Sequence, residues 1–266
     1  MSDNSADWWS TSIIDMKPGE IRYRGYAVED LIGRVGFSEM IWLMLRGELP
    51  RREQAALLEV ALMSAVDHGP QAPSIAISRM AATCGVGLQS AMASGLNVLG
   101  DVHGGAGEAA VQLYSAVAAY DTPEDGAIAE LSRFFESGQK FVPGFGHRFH
   151  PIDPRAPRLM EVTAEAVEAG TVPGHHLAAA KAVEAALARL KGKTIPMNID
   201  GATAVIFAEL GFPAPLARGL FCLSRSVGLL AHAWEQTEQG GRNKGPIPRD
   251  TLWTYTGPPA RHVPED

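Results

Sequence analysis

Nine segments of helical period, rich in alanine and other small residues, follow one another and leave little of the chain for strands. They cover residues 29–45, 52–67, 76–99, 108–119, 124–137, 157–168, 177–191, 202–209 and 215–238. In the first, EDLIGRVGFSEMIWLML, apolar residues recur at mixed three- and four-residue spacing, as on a helix with one buried face. Pro50 stops it. Segment 76–99 is built of small residues and is apolar on most sides, which predicts a buried helix packed closely on its neighbours. Only 21–23 and 253–255 have strand character. The expected fold is all-α.

A chain of 266 residues suffices for one large domain or two unequal lobes around a sizeable core. With 46% hydrophobic and 20% charged residues it reads as soluble and globular. A formal net charge of -7 and the lack of a basic face argue against nucleic acid as a partner. No apolar run approaches the roughly 20 residues needed to cross a bilayer, so no membrane partner is expected. The opening MSDNSADWWSTSI has neither the basic nor the apolar region of a signal peptide. Cys84 and Cys222 stand alone in apolar stretches, without a CxxC, and are expected as buried free thiols in a reducing cytoplasm.

An acidic chain that takes an anionic substrate must gather Arg and His locally. The loops do this. Asp67-His68-Gly69-Pro70, Val102-His103-Gly104-Gly105, Val142-Pro143-Gly144-Phe145-Gly146-His147-Arg148 and Met197-Asn198-Ile199-Asp200-Gly201 each set a His or Asp beside Gly or Pro. Loops are where catalytic groups concentrate on a rigid scaffold. Each residue also has a plainer use. Asp200 can serve as the N-cap of the helix that follows, and His175-His176 in a polar turn suit a solvent-exposed site. His147 and His150 lack further ligands at metal spacing, so no metal site is expected. No GxSxG elbow, GxxxxGK[ST] loop or GxGxxG fingerprint is present.

Taken together and in order, the loops resemble the signature segments of citrate synthases and citryl-CoA lyases along nearly the whole chain. GEIRYRGYAVEDL is similar to the entry motif, DHGP to the substrate-histidine loop and VHGGAGEAA to the HGGANE-type motif. VPGFGHR followed by DPRAPRL is the most specific match. NIDGATAVIFAELGF resembles the catalytic-aspartate segment, and LFCLSRSVGLLAHAWEQ the SRxxGxxAHxxEQ helix.

The resemblance implies roles. Asp200 would transfer the proton at the methyl carbon of acetyl-CoA. His103 would hydrogen-bond the thioester oxygen as an oxyanion-hole donor. His147 would act on the oxygen shared by the oxaloacetate carbonyl and the citrate hydroxyl, taking the hydroxyl proton in cleavage. Arg155 and Arg225 would hold citrate carboxylates, with His68 and Phe221 in the same pocket. Pro143, Gly144, Phe145 and Gly146 would form the loop for the CoA adenine. The implied fold has a large lobe of residues 1–106 and 206–266 and a small lobe of 107–205, with the site in the cleft. The partners implied are a coenzyme A thioester, oxaloacetate or citrate, and a second copy of the chain. Segment 76–99 suits the interface of a homodimer or higher homo-oligomer.

Two departures set the direction expected. Citrate synthases show an Arg-Pro pair near the C-terminus whose Arg reaches the neighbouring subunit's site; here Ile247 stands where that Arg would fall, so either Arg242 or Arg249 substitutes for it or the contact is missing. The chain is also short for a citrate synthase. DHGP, NIDG and ASGLNVLGD look closer to the citryl-CoA lyase module of ATP-citrate lyases. Citryl-CoA lyase activity is therefore expected first. Citrate synthase, or a related condensing enzyme, is the alternative, and a non-catalytic CoA- or citrate-binding subunit is a third.

Overall fold

The computed structural model describes residues 8–248 and 250–264. A short antiparallel meander comes first: β1 (Ile14–Lys17), β2 (Glu20–Tyr23) and β3 (Tyr26–Ala27), in the order β1-β2-β3 with Ile14 opposite Tyr23. The strand expected at 21–23 is its middle member. Its turns use left-handed backbone at Gly19, Arg24 and Gly25. The Arg24 guanidinium docks the meander by donating to the Met44 carbonyl from Nη2 (2.7 Å) and Nε (3.2 Å). Residues 253–255 join no strand; the stretch is exposed and irregular.

Eleven helices follow among the described residues. They are α1 (Val28–Leu31), α2 (Phe37–Arg46), α3 (Arg52–Ser64), α4 (Pro73–Thr83), α5 (Leu88–Leu96), α6 (Ala106–Ala118), α7 (Pro123–Glu136), α8 (Arg155–Glu168), α9 (His175–Lys191), α10 (Ile199–Glu209) and α11 (Ala214–Glu238). The all-α expectation holds apart from the meander.

Two expected helices are each two. Segment 29–45 breaks because Gly33 turns left-handed and Gly36 starts α2 afresh, its amide donating to the Glu39 carboxylate at 2.6 Å. Segment 76–99 breaks at Gly85, also left-handed, and Gly87 opens α5. Nor is this segment buried all round, since Gln89, Ser90, Ala93 and Asn97 are exposed. Cys84, at the break, is exposed rather than buried, and Cys222 is half-buried. His175 and His176 open α9 instead of lying in a turn, and His176 is half-buried against Glu209. The buried Glu209 carboxylate, at the end of α10, accepts the amides of Gly174 (2.8 Å), His176 (2.7 Å) and Leu177 (2.9 Å). That satisfies donors a helix start leaves open.

The main core joins α2, α3, α6 to α10 and the first half of α11 around Tyr114, Leu131, Leu187, Ile206 and Phe212. Every residue of α10 is buried except Asp200. A second, smaller cluster of Ala72, Ile75 and Leu229, backed by Met92 and Leu96, joins α4, α5 and the second half of α11.

Candidate active site

The start of α10 is built by contact between two loops. Asn198, not Asp200, is the N-cap: its Oδ1 accepts the amides of Asp200 (3.0 Å) and Gly201 (3.2 Å). The side chain of Asp200 is thereby left free of capping and projects from the first turn. Asn198 also ties this turn to the 143–146 loop, donating from its amide to the Gly144 carbonyl (2.9 Å) and from Nδ2 to the Gly146 carbonyl (2.7 Å). The Gly146 amide returns a bond to the Pro196 carbonyl at 2.8 Å. Two glycines permit this approach. A Cβ on Gly144, which is left-handed at φ 84, would lie 2.7 Å from the Gly201 Cα, and one on Gly201 would strike the Gly144 carbonyl. The glycines of PGFG and NIDG are thus one packing unit. Gly144 and Phe145 are buried, the latter edge-on to Tyr114; Pro143 and Gly146 are partly open.

Asp153, to which the sequence pointed only through its place in DPR, anchors the next piece. It is 1% exposed. Its Oδ1 accepts Arg155 Nε (2.9 Å) and the Arg155 amide (3.1 Å), and its Oδ2 accepts Arg155 Nη2 (2.9 Å) and the Ile199 amide (3.1 Å). One buried carboxylate therefore orients Arg155 and holds the first residue of α10. Burial alone would raise the Asp153 pKa; the Arg155 hydrogen bonds and charge outweigh it and keep the carboxyl below its usual range.

Ser74 was also invisible as a site residue. Fully buried at the start of α4, it donates to His103 Nε2 from its amide (3.2 Å), and its Oγ lies 3.0 Å from the same nitrogen. Arg225 Nη1 lies 3.4 Å from that Oγ and can only donate to it, so the hydroxyl hydrogen is directed to His103. His103 Nε2 is the acceptor and its proton sits on Nδ1, on the other edge of the ring. Arg225 is buried, donates from Nε to the Ala65 carbonyl (3.3 Å) and stacks over Phe221 at 4.9 Å. Phe221 also packs on the His103 loop at Gly104.

His147 is oriented by its own loop. Its Nδ1 accepts the amides of Phe149 (3.0 Å) and His150 (3.1 Å), which puts the proton of the neutral ring on Nε2. The His147 ring meets His68 at 5.3 Å, edge-on.

The electrostatics place these groups in one field. His68 feels Arg155, Arg225 and His147; Asp200 feels Arg225, Arg155 and Asp153; His103 feels Arg225. Burial, first, and the neighbouring guanidinium groups hold His68 and His103 below the ordinary histidine value of 6.5; burial does the same for His147, against the pull of Asp153. The three rings are neutral at neutral pH. Asp200 is partly accessible as a residue, but protein crowds its carboxyl; desolvation raises its pKa although Arg225 and Arg155 oppose the shift. Two neutral N–H donors, one carboxyl biased toward its protonated form and two guanidinium groups can stabilise an enolate and hold carboxylates. The structure thus brings His68, His103, His147, Arg155, Asp200 and Arg225 into one region, with Phe221 stacked on Arg225.

At the C-terminal end, Ile247 and Arg242 are exposed, and Arg249 lies outside the described residues. The tail is pinned where the Asn243 and Lys244 amides donate to Thr83, at its carbonyl (2.8 Å) and its Oγ1 (3.0 Å).

The chain belongs to the citrate synthase family. A family model described as "Citrate synthase, C-terminal domain" matches residues 1–59 and 50–249. Among solved structures, the chain is similar to citryl-CoA lyase from Hydrogenobacter thermophilus, with 34% identity and a TM-score of 0.85 over 96% of this chain and 97% of that one. It is similar to ATP citrate lyase from Methanothrix soehngenii, solved in complex with citrate and coenzyme A, with 25% identity and a TM-score of 0.79 over 94% of this chain and 42% of that one. It is 30% identical over 257 residues to ATP-citrate synthase subunit 1 of Sordaria macrospora, covering 85% of this chain but only 35% of the length of that protein.

Proposed function

We propose that the protein is a citryl-CoA lyase, cleaving citryl-CoA to acetyl-CoA and oxaloacetate. The observation that carries this is the likeness to a citryl-CoA lyase over nearly the full length of both chains. The site described above supports it. Arg155 and Arg225, with His68 and Phe221, would hold the carboxylates of the citryl group. The His103 Nδ1–H would donate to the thioester oxygen as the carbon–carbon bond breaks and the enolate forms. Asp200, protonated, would deliver its proton to the methylene carbon and complete acetyl-CoA.

The tautomer of His147 alters the role expected for it. With Nδ1 already accepting two amides, the neutral ring carries its proton on Nε2 and cannot readily take another there. His147 would instead donate Nε2–H to the oxygen that passes from hydroxyl to carbonyl, and a water molecule held beside that oxygen, away from the enolate carbon, would take the hydroxyl proton. In the adenine loop, Pro143 and Gly146 would make the CoA contacts, because Gly144 and Phe145 are turned into the core.

The two-lobe division, 1–106 with 206–266 against 107–205, is part of this reading: closure of the cleft would keep water from the enolate. A homodimer is part of it too. Leu223, Val227, Leu230 and Trp234 form an exposed apolar stripe at spacings of four, three and four along α11, beside α5. No helix among the described residues is long and apolar enough to cross a membrane. An acyl-CoA substrate and two free thiols suit the cytoplasm.

The test is purified protein with citryl-CoA, following oxaloacetate through a coupled dehydrogenase. Oxaloacetate should form with wild type and not with Asp200→Ala; equal rates would sink the proposal. Sustained release of free CoA from acetyl-CoA plus oxaloacetate would mark a synthase instead.

A further inference from the structure

Of the stretch SRSVGLLAHAWEQ on α11, the site described so far uses Arg225. Ser224, Gly228, His232 and Glu235 follow at spacings of four, four and three, which puts them on one side of the helix. That side clamps the segment leading to His68. Ser224 Oγ donates to the Leu62 carbonyl, and a Cβ on Gly228 would strike the Val66 carbonyl. His232 Nε2 lies 3.1 Å from Asp67 Oδ1.

The direction of each bond is determined. Arg79 Nη1 lies 3.0 Å from His232 Nδ1, and a guanidinium can only donate. His232 therefore accepts at Nδ1 and carries its proton on Nε2, aimed at Asp67. Arg79 is itself held by Glu235 and by Gln239 Oε1 at 2.9 Å. The Asp67 carboxylate accepts the Gly69 amide (3.1 Å), so it grips the backbone immediately after His68.

We infer that His232 is a positioning residue for the substrate pocket: through Asp67 it fixes the backbone of His68, in one orientation because Arg79 dictates its tautomer. This rests on the lyase reading only in taking His68 to face the substrate carboxylates. A general structural clamp would weaken both products alike. A positioning role reaches oxaloacetate, which His68 faces, and leaves acetyl-CoA alone.

The experiment measures product inhibition by oxaloacetate and by acetyl-CoA in wild type, His232→Ala and His232→Gln. His232→Ala should raise the oxaloacetate inhibition constant about tenfold and leave that of acetyl-CoA within about twofold. His232→Gln should recover most of the loss, because its amide can donate to Asp67 and accept from Arg79 together. Equal weakening of both products, no weakening of either, or a Gln variant as impaired as Ala would overturn the inference. A histidine nitrogen NMR spectrum of wild type and Arg79→Met keeps it testable if the Ala variant does not fold or citryl-CoA is not the substrate. Wild type should show His232 locked as the Nε2–H tautomer, and the Met variant a mixture. A mixture in wild type, or no change on losing Arg79, refutes the relay whatever the reaction proves to be.

Discussion

His103 and His147 present the same kind of group, a ring with one nitrogen accepting from the protein and its N–H on the other, yet they are held by different parts of the molecule. The His147 ring is fixed by amides two and three residues further along its own loop. The His103 ring is fixed by Ser74, 29 residues earlier, and Ser74 is in turn fixed by Arg225, 151 residues later. The first arrangement travels with its loop. The second exists only while α4, α11 and the His103 loop stay in register, and that register depends on the small cluster of Ala72, Ile75 and Leu229. The lesson is that the two halves of the proposed reaction, at the thioester and at the carbinol oxygen, should fail under different perturbations.

The largest effects should come from the rings themselves. His103→Ala and His147→Ala should each lower kcat by about 10²–10³, the usual cost of one oxyanion donor. A loss under tenfold for His147→Ala would mean that its Nε2–H does not touch the reacting oxygen. Ile75→Ala tests the dependence on packing. It should destabilise the fold by about 2–5 kcal/mol and, in the folded fraction, weaken acetyl-CoA-dependent steps more than oxaloacetate binding. Equal weakening would break the comparison.

Smaller effects sharpen it. Ser74→Ala removes one of two donors to His103 and leaves the amide, so about 1 kcal/mol and a roughly fivefold fall in kcat are expected in single-turnover cleavage. Phe149→Ala keeps its amide and should change kcat less than about threefold; a Phe149 effect as large as that of Ser74 would show that the His147 loop is not self-sufficient. The smallest effect is on stability against pH. His68, His103, His147 and His176 are all held below 6.5 in the fold, chiefly by burial. On acidification the unfolded chain takes up these protons first. The stability they contribute is complete above about pH 6.5 and is lost as pH falls below it. Thermal unfolding should therefore move to lower temperature between about pH 7 and 5.5, with a shallower slope in His103→Gln or His147→Gln; a flat wild-type profile would remove this claim.

Much of this site could be read in the sequence, and what was missed has physical reasons. Asp200, His103, His147, Arg155 and Arg225 stood out because each lies in a loop or motif with its own composition. Asp153 and Ser74 did not. A buried Asp two residues before an Arg reads as a local pair, and nothing marks its further bond to Ile199, 46 residues away. A Ser after Pro at a helix start reads as ordinary helix entry. The breaks at Gly33 and Gly85 were lost because apolar periodicity runs on through a residue whose left-handed backbone ends the helix. Asp200 has the chemistry of an N-cap, but Asn198, two residues earlier, does that work with the same chemistry.

The sequence by itself determined what is local: most of the helical segments, the glycines of PGFG and NIDG, and the geometry of His147, which needs only its own next three residues. The tertiary structure decided which tautomer His103 carries, what Asp153 holds and why the motif on α11 extends to His232. Those bonds join residues far apart in the chain, and no spacing within one segment encodes the register between helices that brings them within about 3 Å, the reach of a hydrogen bond.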